Sequence, residues 1–205
     1  MNDINDLMLS LGLIDLNELD PTIKSDIRYA TVNNFTGKIL YDKTFGVFLE
    51  RRLAYAVCAA NNKLKEMCEG YSLVIFDAAR PLTIQKHMYD MVKDTPAENY
   101  IANPYTDYPG GFHNYGMAVD LSICDKDGAL LDMGTDFDSF SEIAHVGNEQ
   151  TLVIDGLLSA TAYANRMLLY SIMGRYGMLP HPLEWWHYQL DYQETDKAKH
   201  KLLNF

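Results

Sequence analysis

The spacing of apolar and polar residues divides most of this chain into short segments of distinct period. Residues 46–69, GVFLERRLAYAVCAANNKLKEMCE, repeat apolar side chains at helical spacing, and Gly70 supplies a stop. YSLVIFDAA (71–79) is a β-branched and aromatic run of the kind that forms a buried strand. Pro81 suits the first turn of a helix reaching about Asp94. Residues 95–112 are rich in Pro, Gly, Asn and Tyr and predict a long loop. GMAVDLSIC (116–124) alternates, and DKDG (125–128) predicts a turn into a partner strand, ALLDM. Residues 151–176 carry the longest helical pattern, ended by Gly177 and Pro180, and LEWWHYQLDY (183–192) is strand-like.

Residues 1–20 read as a short amphipathic helix or a loosely ordered lead, with 1–13 peripheral and 193–205 a C-terminal tail. Helices and antiparallel strands are interspersed without repeated βαβ units. The expectation is one α+β domain, a small antiparallel sheet flanked by helices.

Composition narrows the partners. At 205 residues the chain can bury one good core. Its net charge of −11 argues against nucleic acid and against an anionic membrane surface. No run approaches the roughly 18 apolar residues of a membrane span. The N-terminus has no basic region ahead of its short apolar run, so it does not resemble a signal peptide. The three cysteines form no CxxC pair, which predicts free thiols in a reducing compartment. Both features place the chain in the cytoplasm, or in the periplasm if a presequence precedes it.

Two stretches carry candidate chemistry, HNYGMAVD (113–120) and EWWH (184–187). In a strand over 117–124, Met117, Val119, Leu121 and Ile123 share the core face. Asp120 then shares the other face with Ala118, Ser122 and Cys124, small neighbours that leave room for a ligand. In EWWH, positions three apart face opposite sides of a straight strand. Glu184 and His187 converge only if Glu184 sits on a loop or bulge, for which Pro180 and Pro182 provide. Spacing alone leaves two readings, a mononuclear metal site and a packed aromatic strand with a hydrogen-bonded histidine.

The pattern H-x-x-G-x-A-x-D followed by E-x-W-H resembles the zinc D-Ala-D-Ala peptidases with the Hedgehog-like fold. DIRYATVNNFTGKILY (26–41), FDAARP (76–81), MGTDFD (133–138) and NRMLLYSIM (165–173) look like the VanX-type D-alanyl-D-alanine dipeptidases within that group. The resemblance runs from about residue 14 to 192. It implies one zinc ion held by His113, Asp120 and His187, with Glu184 off the metal as the general base. It also implies that Arg80 stabilises the developing oxyanion and that Tyr29 lies near the substrate's amino end. Asp138 is the candidate partner for the substrate ammonium, its alternative being a turn or capping aspartate. Tyr29 and Asn34 have the alternative of ordering the N-terminal segment over the site.

The implied partner is a small dipeptide, cleaved either in recycling of cell-wall dipeptide or in glycopeptide resistance. Rival readings are a carboxypeptidase or endopeptidase on peptidoglycan stems, and a non-catalytic metal-binding module. One departure stands out: serines usual around the first zinc histidine are replaced by Gly111-Phe112-His113-Asn114, which bears on fine specificity. His87, His181 and His200 are expected at the surface. His145 stays unassigned, and the loop over 100–112 either lines a pocket mouth or covers core.

Overall fold

The computed structural model describes residues 4–205; positions 1–3 of the expected lead lie outside the described residues. In chain order, α1 (Ile4–Ser10), β1 (Ile14–Asp15) and α2 (Leu16–Leu19) lead into two short strands, β2 (Lys24–Ser25) and β3 (Phe48–Leu49). Next come α3 (Arg51–Met67), β4 (Ser72–Asp77) and α4 (Leu82–Val92), then β5 (Ala118–Cys124). The chain continues through α5 (Glu149–Ile154) and α6 (Ala160–Gly174) into a hairpin of β6 (Met178–His181) and β7 (Glu184–Leu190).

Local chemistry accounts for the main elements. The Glu50 side chain accepts hydrogen bonds from the backbone N–H groups of Arg52 and Leu53, which caps α3. Leu53, Ala54, Val57, Ala60, Asn61 and Leu64 then bury one stripe of that helix. Each large apolar side chain so buried contributes roughly 1.5–3 kcal/mol. The helix starts later than its apolar pattern because Phe48 and Leu49 pair with β1.

The α+β class holds, with a small antiparallel β1–β3 sheet and a larger mixed one. The larger sheet has the order β2-β4-β5-β7-β6. It is antiparallel throughout except that β2 runs parallel to β4, the connection between them crossing through α3. α3 and α6 pack on each other and against this sheet, and the main core lies between.

Three local expectations change. ALLDM does not form a strand: Leu130 makes a single bridge to Cys124, because the Asp125 carboxylate accepts from Asp127 and Ala129 N–H and curls the chain. The long helix over 151–176 is two helices. Gly156, at φ +71°, turns the chain between them, and Ser159 caps α6 by accepting from Ala162 N–H. Every residue of β5 is buried, so its polar face is covered as well as its core face.

Both ends of the chain, expected as a lead and a tail, insert into a second cluster. Met8 and Leu203 are fully buried there with Tyr29, Tyr41 and Phe45. Cys58, Cys68 and Cys124 are free thiols. Among the described residues, no helix is long and apolar enough to cross a membrane.

Candidate active site

Strand register assembles the site. Asp77 stands opposite Asp120 in the β4–β5 ladder, and Asp120 stands opposite His187 in the β5–β7 ladder. Directly opposed residues share a sheet face, so the three side chains form one polar row. Asp77 reaches that face through a bulge between Ile75 and Asp77, the device that commonly re-aims a side chain beside a functional site.

His113 comes from a turn, as its position before β5 required. Residues Phe112–Tyr115 form a single 3-10 turn that Gly116 ends at φ +69°. The backbone then enters β5 with His113 folded back over Asp120. The His113 ring donates from Nδ1 to the Ala78 carbonyl at 2.7 Å, since a carbonyl can only accept. That bond fixes the tautomer and leaves the Nε2 lone pair facing inward.

Three inward-facing atoms now form a triangle. His113 Nε2 lies 3.3 Å from Asp120 Oδ1, His187 Nδ1 lies 3.1 Å from the same oxygen, and the two nitrogens are 3.1 Å apart. Asp120 Oδ1 is buried without a hydrogen-bond donor. With the His187 proton on Nε2, which faces Gln189 Oε1 at 3.4 Å, three clustered lone pairs meet and fit a cation. The edges also match the roughly 3.3 Å of a tetrahedron around an ion with 2.0–2.1 Å bonds. Among the described residues this buried group is the one whose side chains could hold a metal. Burial opposes ionisation of Asp120, but the His113 and His187 rings hold its carboxyl below the ordinary range.

Glu184 reaches the same centre through an irregularity. Between β6 and β7 the pairing jumps from Pro180↔Tyr188 to His181↔Glu184. This break in the pleat lets Glu184 Oε2 come within 3.7 Å of His187 Nδ1, as convergence of the two required. Burial pushes the Glu184 carboxyl well above its usual range, and the nearby Asp120 and Asp138 carboxylates add to the shift.

Arg80 is buried beside the row. Its Nε and Nη2 donate to Asp77 Oδ2 at 2.9 and 2.6 Å, and its Nη1 donates to Gln85 Oε1 at 2.8 Å. Nη2 also lies 3.7 Å from Asp120. Gln85 in turn donates to the Ala102 carbonyl, and Tyr41 donates to the other Asp77 oxygen. Burial disfavours the charge on Arg80, but Asp77 more than compensates and keeps the guanidinium protonated.

Asp138 and Tyr29 meet on the same cavity. Tyr29 Oη donates to Asp138 Oδ1 at 2.9 Å, and Phe35 N–H donates to Oδ2 at 3.1 Å. Among the described residues no cation forms an ion pair with Asp138, and burial pushes its carboxyl up to about 7. Its backbone is held at φ +62°, an uncommon conformation for a residue with a side chain. Asn34 lies apart from the site and ties the loop over 28–38 by donating to the Arg28, Thr31 and Lys38 carbonyls.

The metal group, Glu184, Arg80, Tyr29 and Asp138 line one cavity of ≈ 360 Å³. The Tyr-rich loop lines it too, through residues that include Tyr100, Asn103 and Tyr108. His181 is partly exposed at the surface, as expected, with its side chain 39% exposed. It lines the cavity with Nδ1 4.0 Å from Glu184 Oε2, and burial with the neighbouring His187 lowers its pKa to about 4. His145 accepts or donates a 2.8 Å hydrogen bond with Tyr100 Oη at the cavity wall. Asp77 and Gln85 also went unremarked in the sequence. The only signal was an aspartate ending a buried strand three residues ahead of an arginine.

Comparison with known proteins agrees with this geometry. The chain is 30% identical to the D-alanyl-D-alanine dipeptidase of Escherichia coli K12, over 87% of this chain and 84% of that protein. It is 29% identical to the D-alanyl-D-alanine dipeptidase of Enterococcus faecium, over 89% and 93%. With the protein of that name from Streptomyces coelicolor it shares 28% identity, over 85% and 89%. The profile of the peptidase M15 family described as D-ala-D-ala dipeptidase matches residues 9–204. With that match spanning nearly its whole length, the chain belongs to the D-ala-D-ala dipeptidase family of metallopeptidases.

Proposed function

We propose that the chain hydrolyses the D-Ala-D-Ala dipeptide to two D-alanines, using zinc held by His113, Asp120 and His187. The observation that carries the reading is the triangle of buried lone pairs around Asp120 Oδ1, with Glu184 beside it and off it. Two nitrogens and one carboxylate oxygen are the donor set of a catalytic zinc site with an open position. Zinc held there would supply Lewis acidity toward a carbonyl oxygen and a water.

The protein's own groups do the remaining work. Glu184 takes the proton from the attacking water and later delivers it to the leaving amine. Its low exposure and acidic surroundings raise its affinity for that proton, which suits a base that must also serve as an acid. Arg80 presents its two uncommitted N–H bonds to the carbonyl oxygen as negative charge develops there. Asp77 and Gln85 position it, so the guanidinium pays little reorganisation when the charge appears.

Asp138 and Tyr29 receive the substrate ammonium. A largely desolvated carboxylate with no cationic partner among the described residues is incomplete, and an ammonium completes it. A substrate extended at its amino end would leave that carboxylate unpaired, which is the basis for preferring a dipeptide over a peptidoglycan stem.

The deciding experiment is hydrolysis of D-Ala-D-Ala, L-Ala-L-Ala and a stem pentapeptide by zinc-loaded protein, with Glu184→Ala alongside. Turnover of D-Ala-D-Ala by the wild type alone is the expected result. A wild type and variant equally inert on all three would sink the peptidase reading.

A further inference from the structure

The cavity has a second cation that the chemistry above does not use. Among the described residues, Arg80 and Lys197 are the only lysine or arginine side chains lining it. Arg80 is committed to buried Asp77, whereas Lys197 has no buried carboxylate among the described residues. Lys197 is 3% exposed, rare for an ammonium, and is held at 2.8 Å by the Gly110 carbonyl. Its one carboxylate partner among the described residues is Glu194, at 2.7 Å, whose own side chain is 64% exposed. The ammonium also lies 4.9 Å from the centre of the Phe112 ring, on the residue just before His113.

The contacts order the cavity around the metal group. From Asp138 they pass through Tyr29 and Arg80 to Asp120, and then to His113 and His187. Beyond His113 they reach Phe112 and Lys197. Gln189 also lines the cavity, with Oε1 3.4 Å from His187 Nε2. Its amide NH₂ has no protein partner among the described residues. Along this path of contacts the metal group falls between the Asp138–Tyr29 pair and a buried ammonium. A dipeptide zwitterion has the complementary order: ammonium, scissile amide, carboxylate.

We propose that Lys197 anchors the free C-terminal carboxylate of the dipeptide, with Glu194 as a surface carboxylate that occupies the ammonium until substrate displaces it. This inference rests on the dipeptidase reading and adds to it a specificity residue. Glu194 is exposed enough to turn into solvent, and Lys197 is buried enough that leaving it unpaired is costly. The exchange therefore keeps the cation paired in both states. It also places a charge-based device where Phe112 and Gly111 offer no hydroxyl, so the carboxylate is recognised without one.

The test compares D-Ala-D-Ala with its C-terminal amide, measured as the ratio of kcat/KM for acid over amide. Lys197→Met should reduce that ratio by at least about tenfold, since truncating one member of a desolvated charge pair is worth that much or more. A merely structural lysine would lower both substrates together, and an unchanged ratio overturns the proposal even if the variant is sluggish. Glu194→Gln removes the competitor and should lower KM for the acid about threefold, leaving the amide as it was; an unchanged or higher KM for the acid counts against the exchange. Calorimetric Kd values for both compounds separate this claim from its parent. If the wild type cleaved neither compound, the peptidase reading would fall. Lys197 would then stand only if the acid bound more tightly than the amide and Lys197→Met erased the difference.

Discussion

Asp120 stands directly across the β5–β7 ladder from His187, and its Oδ1 lies 3.1 Å from His187 Nδ1 with no donor to satisfy it. A buried carboxylate oxygen facing two imidazole lone pairs is unfavourable in the protein alone and favourable once a cation sits among them. Metal binding should therefore stabilise the fold. At a metal concentration about 1,000 times Kd the gain is about 4 kcal/mol, which for a chain of this size raises Tm by roughly 8–16 °C. Calorimetry of chelator-stripped protein with and without zinc checks this, and Asp120→Ala should abolish most of the shift.

Asp77 holds Arg80 through two hydrogen bonds in a buried setting. Asp77→Asn leaves the guanidinium short of its counter-charge. Breaking such a pair costs about 3–5 kcal/mol, and the arginine is then free to leave its position. Denaturant melts should show the loss, and kcat should fall on the order of 100-fold, as for removal of a charge-stabilising group. A variant with normal kcat would mean that Arg80 does not need Asp77 to act.

The Asp138 carboxyl, raised by burial to about 7 against 3.8 for the ordinary group, gives a signed pH effect. The folded protein binds this proton more tightly than the unfolded chain does. The stability so gained is complete below about pH 4 and is lost as pH rises through about 7, amounting to a few kcal/mol. Unfolding free energies of metal-stripped wild type and Asp138→Asn, measured from pH 4 to 8, isolate the contribution. The wild type should lose stability relative to the variant as pH rises; a flat difference would remove the claim.

Gly116 links the His113 turn to β5 at φ +69°, and a Cβ there would meet Leu13 Cδ2 at 2.6 Å and the Glu50 backbone nitrogen at 3.3 Å. Gly116→Ala combines backbone strain with overpacking, and about 2–4 kcal/mol of stability should be lost. Zinc affinity should weaken with it, because the turn aims His113. Thermal melts and metal titration together check the prediction.

The C-terminal segment reaches back to the site. Leu203 is fully buried, its N–H donates to the Asn114 carbonyl, and its carbonyl accepts from Leu82 N–H. Leu203→Ala should cost about 2–5 kcal/mol. Deleting residues 201–205 should lower activity as well as Tm, since Asn114 follows His113 directly.

How much of this was legible beforehand depends on the range of the interactions concerned. The buried strand before Arg80, the alternating strand carrying Asp120 and the strand-like EWWH run were readable from local pattern, and each exists within a residue or two. So were the α+β class and the exposed His87. The requirement that Glu184 sit on a break in the pleat followed from strand geometry alone, and the β6–β7 irregularity meets it.

What local pattern does not contain is register. The bulge at Phe76 and Asp77, which sets Asp77 opposite Asp120, depends on how two strands far apart in sequence pair. His181 keeps the partly exposed side chain that its flanking prolines suggested, and its approach to Glu184 was not visible in the sequence. Lys197 looked like part of a soluble tail until the Gly110 loop closed over it. Local sequence carries the chemical inventory and the strands that bear it. Which of those groups meet is set by burial and strand pairing, and these depend on residues distant along the chain.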